Sequence, residues 1–289
     1  MAAPAQSEQM RRLAGLLGVK LDPFSTGGES LTFGITGTEL LVTIPTEPGE
    51  QDVQRQAELT RRVADRISIP VPEIVRVVAE AEAVVVRRLP GVPLIAVPTP
   101  QRAALTRSVA LAVGTVLAEL HTWDRDGYAD LAPVDEYSPE EWRAETAELV
   151  SDLTPLLTTD QRDDVRRFLG RPAPRPAGRH VLSHNDLGIE HILVSPDAVT
   201  GVIDWNDAAI TDPAYDFGLL LRDLGPEALR TALARYAHQI GGDPELLERA
   251  SYYAVCALLE DLAFGHETGR VEYVAKSLHG WRWTFQAAG

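Results

Sequence analysis

Two short apolar runs in the second half of the chain are each interrupted by polar residues at fixed intervals. The segment HVLSHNDLGIEHILV places Asp186 after VLS and His191 at the start of ILV, and TGVIDWNDAAITDPAYDF places Asp204 at the end of GVID. A hairpin would bring these three side chains together. Two carboxylates and an imidazole at one turn can hold a divalent cation and orient a hydroxyl nucleophile, as phosphoryl transfer requires. The alternative is a turn whose Asp and Asn side chains only cap backbone groups.

The two segments together resemble the aminoglycoside and macrolide phosphotransferase family, which has a protein-kinase-like fold. HNDLGIEHILV is similar to the catalytic loop of that family, and IDWNDAAITDPAYDF is similar to its metal-binding segment and the Asp-Pro-x-x-Asp that follows. The resemblance implies that Asp186 is the catalytic carboxylate, which orients the acceptor hydroxyl and takes its proton. It also implies that Asp204 is the principal Mg²⁺ ligand, that His184 braces the loop and that Asp216 holds the loop backbone.

His191 stands where most of the family has asparagine as the second metal ligand, and macrolide phosphotransferases show a similar histidine pattern. Imidazole can ligate a cation, although Mg²⁺ prefers hard oxygen ligands. We therefore expect His191 to be a metal ligand and the cation to be Mg²⁺ or Mn²⁺.

The pattern of strand-like runs in residues 1–90 predicts the small nucleotide-binding lobe of such a fold. The runs LTFGI, ELLVTI and EAVVVRRL alternate with turn signals, which predicts an antiparallel sheet, and QDVQRQAELTRRVADRI predicts one helix packed on it. In the turn STGGES, glycines would let backbone N–H groups approach phosphate oxygens. The predicted nucleotide contacts are Ser25, Thr26, Gly27, Gly28, Ser30, Thr43, Arg87 and Leu89.

Two residues of the small lobe depart from the family. On the strand ELLVTIP, the family has a lysine or arginine that reaches the nucleotide phosphates, and this chain has Thr43. On the adjacent helix, Gln56 replaces the glutamate that pairs with that cation. Because both partners are lost together, neither charge is left buried and unpaired.

The helix signals in residues 91–289 predict a larger, mainly helical lobe. This lobe would contain the catalytic loop, the metal site and the acceptor pocket. Helix signals begin at Pro100, at the N-cap Ser138 and at Asp243, and a last helix covers YVAKSLHGWRWTF. The predicted fold class is therefore α+β, with a bilobal protein-kinase-like architecture.

Composition restricts the partners. The chain has 42 acidic and 27 basic side chains, and its formal charge of −15 disfavours nucleic acid and anionic membranes but suits a cationic substrate. MAAPAQSEQM lacks the basic and apolar regions of a signal peptide, and no run reaches the roughly 18 apolar residues of a membrane helix. We expect a cytoplasmic protein. Its single cysteine, Cys256, supports neither a disulfide framework nor a zinc site.

The leading hypothesis is an antibiotic kinase. It would move the γ-phosphate of ATP or GTP to a hydroxyl of an aminoglycoside, a macrolide or a cationic peptide antibiotic, and so confer resistance. Two alternatives stay open: a metabolic small-alcohol or sugar kinase of the same fold, and a nucleotide-binding pseudokinase, which Thr43 and Gln56 favour.

The acceptor pocket of this family lies near the metal segment and the late helices. Carboxylates there are the candidate contacts for a cationic substrate, and aromatic residues are the candidate contacts for a macrolide. The carboxylates are Asp207, Glu260, Asp261 and Glu267, and the aromatic residues are Tyr252, Tyr253, Phe264 and Trp281. For each of them the alternative is a solvated helix face or an ordinary core position.

Overall fold

The computed structural model describes residues 4–26, 30–46, 52–241 and 243–289, so the predicted contacts Gly27 and Gly28 lie outside the described residues. The helices are α1 (Pro4–Leu17), α2 (Val53–Arg66), α3 (Thr99–His121), α4 (Pro139–Leu153), α5 (Thr159–Leu169), α6 (Tyr215–Ile240), α7 (Leu246–Thr268) and α8 (Val271–Ala287). The strands are β1 (Leu21–Thr26), β2 (Ser30–Ile35), β3 (Leu40–Pro45), β4 (Ile74–Val78), β5 (Ala83–Arg87), β6 (Val92–Pro93), β7 (Val181–Ser183), β8 (Ile192–Val194), β9 (Val199–Val202) and β10 (Ala209–Thr211).

An antiparallel sheet in the order β1-β2-β3-β5-β4 forms the small lobe. Side chains alternate across it, so Leu31 and Phe33 of β2 are buried on one face while Thr32 between them lines a cleft on the other. The buried face packs against α1 through Leu13. The sequence predicted one helix for this lobe and the structure has two. The sequence did not predict α1, because Leu13 is its one buried residue among the side chains that the structure describes and one residue makes no periodic pattern.

Helix α2 borders the sheet, but its apolar face packs into the core of the large lobe. Leu59 and Val63 belong to the same buried cluster as Val109 and Leu117 of α3, whereas the sheet and α1 form a separate cluster. The prediction that this helix packs on the sheet is confirmed at β4 and β5, and the helix also packs on α3. Helix α1 supplies the apolar cover of the sheet, and α2 joins the two lobes.

Polar contacts also fasten the end of α2 to the large lobe. The Arg62 guanidinium donates to the Asp130 carboxylate at 2.9 Å and 3.2 Å. Just after the helix, the Ser68 backbone N–H donates to the Glu119 carboxylate of α3 at 2.8 Å. These bonds hold α2 in one position relative to α3.

The large lobe is built around α3, α6, α7 and α8. Gly114 of α3 lets α6 approach closely, since a Cβ atom there would lie 2.5 Å from the Ala232 carbonyl oxygen. One described helix, α3, is long and apolar enough to cross a membrane, and half of its most apolar stretch is buried inside the fold. Its place in the core accounts for that composition.

The predicted start of α4 at the N-cap Ser138 is confirmed, whereas α7 begins later than the predicted start at Asp243. Ser138 and Glu141 form a reciprocal capping box, as predicted for α4. Helix α7 instead begins at Leu246, because the Asp243 carboxylate pairs with Arg249 at 2.8 Å and accepts the Glu245 N–H in the turn before the helix.

Candidate active site

Two small antiparallel sheets, β10-β7 and β6-β8-β9, carry the residues singled out by the sequence. The loop between β7 and β8 contains Asp186 and His191, and the β8–β9 hairpin brings Asp204 beside them. His191 Nδ1 lies 2.8 Å from the Asp186 carbonyl oxygen and 3.2 Å from Asp186 Oδ2. His191 Nε2 lies 3.7 Å from Asp204 Oδ2. The structure therefore brings all three side chains together, with the imidazole between the two carboxylates.

The Asp216 carboxylate lies beneath this loop and is fully buried. Its Oδ2 atom accepts hydrogen bonds from the backbone N–H groups of His184 at 3.0 Å and Asn185 at 3.3 Å. Its Oδ1 atom accepts from the Leu187 N–H at 3.2 Å. Asn185 has a φ of 64°, a left-handed conformation that asparagine tolerates better than most residues. Asp216 thus satisfies three loop amides that would otherwise be buried without partners.

His184 joins the loop to the Asp204 segment. Its buried imidazole donates from Nε2 to the Ile203 carbonyl oxygen at 3.0 Å, and its ring packs 4.6 Å from that of Trp205. Burial lowers the pKa of His184 to about 3, and the nearby His191 adds to that effect. His184 is therefore neutral at physiological pH, and its bond to Ile203 holds the loop against the Asp204 segment.

Electrostatics distinguish His191 from His184. Burial alone would lower the pKa of His191, but the carboxylates of Asp186 and Asp204 outweigh it and raise the pKa to about 9. Desolvation raises the pKa of Asp186, and the charge of His191 opposes that rise. The raised pKa favours the protonated form of His191, so the imidazole must lose its Nε2 proton before that nitrogen can bind a cation.

The Asp204 carboxylate and His191 Nε2 are the candidate ligands for the divalent cation that the resemblance implies. Mg²⁺ in phosphoryl-transfer sites is usually bound by one or two side chains together with substrate phosphates, and these two donors fit that pattern. Within the described part of the chain, no group of three or more His, Cys, Asp or Glu side chains is arranged to hold a metal ion. The other ligands of a cation here would be phosphate oxygens or water.

A buried charge network lies behind the loop. The Lys276 ammonium, on a side chain only 2% exposed, lies 2.7 Å from Glu190 and 2.9 Å from Asp261. Arg222 pairs with Asp223 at 2.8 Å and with Asp261 at 2.7 Å. Asp223 also accepts the Ile189 backbone N–H at 3.1 Å. The network links the loop to α6, α7 and α8.

This network corrects one prediction and adds residues that sequence reasoning missed. Asp261 was predicted to contact substrate, but its carboxylate faces inward to two buried cations. The residues that sequence reasoning missed include Glu190 and Lys276. The available signal was the position of Arg222 and Asp223 in the apolar run DFGLLLRDLG, because charged residues there need buried partners.

A cavity of about 290 Å³ lies between the sheet and the large lobe. Asp204 lines it, and so do most of the described residues predicted to contact nucleotide, namely Ser25, Ser30, Thr43, Arg87 and Leu89. Thr26 is the last residue of β1. Arg87 also pairs with Glu73 at 2.7 Å on the surface. The cavity therefore adjoins the candidate metal ligand.

Neutral polar groups occupy the wall where the family has its ion pair. The hydroxyls of Thr43 and Thr32 lie 3.1 Å apart, and Gln56 and Thr60 of α2 line the same wall. In this part of the cavity, hydroxyls and an amide are available to phosphate oxygens in place of a cation.

The remaining acceptor candidates fall into two groups. Asp207 is exposed, and its charge acts on both Asp186 and Glu260, so these three carboxylates share one region. Glu267 lies seven residues beyond Glu260 on α7, about 10 Å along the helix axis. It makes no hydrogen bond or ion pair with any residue that the structure describes.

The aromatic candidates are mostly core residues. The Tyr252 hydroxyl donates to the Pro139 carbonyl oxygen and the Tyr253 hydroxyl donates to Asp212, and both rings are buried. Trp281 is buried as well and donates to Asp164. Phe264 packs against Tyr273. These contacts explain the four aromatic residues without a substrate.

The sequence model of the phosphotransferase enzyme family (APH) matches residues 20–253. Viomycin phosphotransferase from Streptomyces vinaceus is 29% identical to the chain over 211 residues, which cover 70% of each protein. Macrolide 2'-phosphotransferase type I superposes with a TM-score of 0.66 at 24% identity and covers 96% of each chain. The GDP complex of wild-type aminoglycoside 2'-phosphotransferase-IIIa superposes with a TM-score of 0.67 at 18% identity and covers 98% of each chain. The two structures are similar to this chain in fold, which confirms the predicted fold class.

Replacing Asp216 with alanine should release the loop. The backbone amides of His184, Asn185 and Leu187 would lose their acceptor, and each lost bond should lower the free energy of unfolding by about 1 to 3 kcal/mol. Hydrogen exchange followed by mass spectrometry or NMR should show faster exchange at these three amides.

The matched control is Asp223→Asn, which alters the acceptor of the Ile189 amide. It should accelerate exchange at Ile189 and leave the three amides held by Asp216 protected. Unchanged exchange in Asp216→Ala would show that other groups hold the loop.

Proposed function

Because the chain belongs to the phosphotransferase enzyme family, we propose that it transfers the γ-phosphate of ATP or GTP to a hydroxyl of a small-molecule antibiotic and thereby confers resistance. The observation that carries this proposal is the convergence of Asp186, His191 and Asp204 next to a cavity that Asp204 lines. Carboxylates and an imidazole at the edge of a cleft are the groups that position a phosphate and a nucleophile.

Asp186 is the proposed catalytic residue. Its side chain is 38% exposed, so an acceptor hydroxyl can reach it, while its loop is held from below by Asp216. The carboxylate would accept a hydrogen bond from the acceptor hydroxyl and take its proton as that oxygen bonds to the γ-phosphorus. The bond between the γ-phosphorus and the β-phosphate oxygen would break at the same time, and ADP or GDP would leave. Asp204 and His191 would hold a divalent cation, which when bound neutralises charge on the phosphates.

The nucleotide would occupy the cavity under the sheet. The base would lie against the apolar residues of the connector near Leu89, and the phosphates would extend toward Asp204. The Thr43 hydroxyl would donate a hydrogen bond to a phosphate oxygen and accept one from Thr32. Neutral donors give weaker bonds than charged ones, so the cation and the turn between β1 and β2 would carry most of the phosphate binding.

The acceptor is proposed to be cationic, such as an aminoglycoside or a basic peptide antibiotic. Desolvation raises the pKa of Glu260 to about 7, and the carboxylates of Asp261, Glu145 and Asp207 add to the rise. Such a concentration of negative charge beside Asp186 favours ammonium groups, and the formal charge of −15 would attract them from solution. The likeness to viomycin phosphotransferase supports the same class.

A nucleotide-binding module without transfer activity is the second candidate, and the neutral wall at Thr43 and Gln56 is the observation that favours it. The two functions differ in whether the wild-type protein turns over nucleotide in the presence of an acceptor.

A direct assay tests phosphate transfer. Purified protein with Mg²⁺ and either ATP or GTP should add one phosphate to a member of a panel of viomycin, kanamycin and erythromycin, as measured by mass spectrometry. Asp186→Asn should lower kcat by at least about 100-fold while the Kd for nucleotide changes little, because the carboxylate acts on the acceptor. Near-normal turnover in Asp186→Asn would refute its catalytic role.

A double-mutant cycle tests the neutral wall. Thr43→Lys with Gln56→Glu should tighten nucleotide binding, because the lysine would regain both a phosphate and a carboxylate partner. Thr43→Lys alone should gain less, since its ammonium would be partly desolvated without a counter-ion. Nucleotide Kd and turnover should be measured for the four proteins. Transfer by the double mutant alone would make the wild type a binding module.

A further prediction concerns the pH dependence of KM for the acceptor. Glu260 is neutral below its raised pKa and charged above it, so KM for a cationic acceptor should fall as the pH rises from about 6 to about 8. Glu260→Gln should flatten this dependence and raise KM at pH 8 by about 10-fold, the loss of one charge-assisted bond. Glu248→Gln, an exposed site in the first turn of the same helix, is the control and should retain the wild-type profile. An unaltered profile in Glu260→Gln would exclude Glu260 from acceptor binding.

A further inference from the structure

The two walls of the cavity at Thr43 present neutral oxygen atoms to the same space. Thr43 of β3 lies directly opposite Thr32 of β2, and their hydroxyl oxygens are 3.1 Å apart. Both side chains are on the sheet face that lines the cavity, because their neighbours along the strands, such as Val42, are buried on the other face. Across the cavity, Gln56 and Thr60 lie about one turn apart on the face of α2 that lines it. The space is therefore bordered by three hydroxyls and one side-chain amide.

The cationic side chains among the described residues that line this cavity are Arg87 and Arg88, and both lie at the connector. Thr43 pairs with Val84 of β5, and Arg87 comes three residues later, about 10 Å along the strand. The Arg87 guanidinium is also engaged with the Glu73 carboxylate at 2.7 Å. None of the described lining residues therefore brings a positive charge to the wall at Thr43.

A nucleoside triphosphate in this cavity would carry more negative charge than one divalent cation removes. The divalent cation proposed at Asp204 would neutralise part of that charge, and the remainder would be partly desolvated between the sheet and the large lobe. Burying charge without a counter-charge is strongly unfavourable. A lysine at position 43 would supply the counter-charge, and a monovalent cation from solution is the other source.

We propose that a potassium ion binds beside Thr43 together with the nucleotide, in the place that a lysine ammonium would take. Its ligands would be the hydroxyl oxygens of Thr32 and Thr43, the Gln56 amide oxygen and oxygens of the phosphates. Neutral oxygen atoms can replace the hydration shell of K⁺. Each hydroxyl oxygen has two lone pairs, so the bond between the two threonines leaves a lone pair on each for the ion.

This inference rests on the proposed nucleotide binding and deepens it. A bound K⁺ carries the same single charge as an ammonium group, which is also a compact point charge. It would explain how Thr43 and Gln56 can both be neutral in an active phosphotransferase.

The test measures nucleotide binding without an acceptor. Isothermal titration calorimetry with Mg²⁺-ATP and Mg²⁺-GTP is carried out in KCl and in choline chloride at equal ionic strength, so that general screening is the same in both salts. The Kd of the wild type for nucleotide should be about 10-fold lower in KCl, the effect of one charge-assisted contact. Equal Kd values in the two salts would overturn the proposal.

Substitutions at the wall locate the ion. Thr43→Lys should give the same Kd in both salts, because its ammonium would occupy the position of K⁺. Thr43→Val and Thr32→Val keep the side-chain shape and remove one hydroxyl ligand, so each should lose most of the response to KCl. Thr36→Val is the control and should keep the full response, because the Thr36 hydroxyl bonds to Asp22 outside the cavity. A full response to KCl in Thr43→Lys would place the ion elsewhere and refute the assignment.

Binding and transfer distinguish this proposal from the proposed function. A protein that binds nucleotide more tightly in KCl but phosphorylates no panel acceptor refutes the proposed transfer while the cation site stands. An enzyme that transfers phosphate and binds nucleotide equally well in both salts refutes the cation site alone. A wild type that binds no nucleotide in either salt refutes both.

Discussion

Two buried carboxylates on one face of α6 hold the loop on which the whole site depends. Asp216 accepts three loop amides and Asp223, seven residues later, accepts a fourth. Seven residues are two helical turns, so both carboxylates point the same way and span the loop from His184 to Ile189. Asn185 of this loop is in a left-handed conformation, so the loop is not a regular element. The carboxylates accept the loop N–H groups that a helix or a strand would pair with carbonyl oxygens. The backbone amides on both sides of Asp186 are thereby bonded to α6, which holds the loop in one conformation.

Placing carboxylates under a loop has an electrostatic cost that the rest of the large lobe offsets. Burying Asp223, Glu190 and Asp261 would be strongly unfavourable without compensation, and Arg222 and Lys276 provide it. Because Lys276 comes from α8 and Asp261 from α7, the compensation also fixes those helices against the loop. The same arrangement explains why acidic residues of α7 have different environments: one turns inward to cations, and its neighbour Glu260 meets other carboxylates and gains a raised pKa.

Sequence reasoning succeeded where the chemistry is local. Asp186, His191 and Asp204 belong to two short segments joined by a hairpin, so their meeting could be predicted from strand and turn patterns. The predicted nucleotide contacts came from the order of strands along the chain, and Ser30, Thr43 and Leu89 line one cavity. Contacts between distant segments could not be predicted in this way. Lys276 meets Glu190 across 86 positions, and no periodicity indicates that pairing. For the same reason Asp261 was predicted to contact substrate, although its partners are Arg222 and Lys276.

The attachment of α2 to the large lobe determines which parts of the small lobe can move. In many kinases this helix swings to switch activity on and off. Here its apolar face shares the core with α3, and Arg62 and Ser68 bond it to Asp130 and Glu119. Helix α2 also contacts β4 and β5, so any opening of the cleft must move α2 against the sheet or against the core of the large lobe. A substitution that loosens α2 from α3 would therefore also change the position of the cavity wall at Gln56 and Thr60.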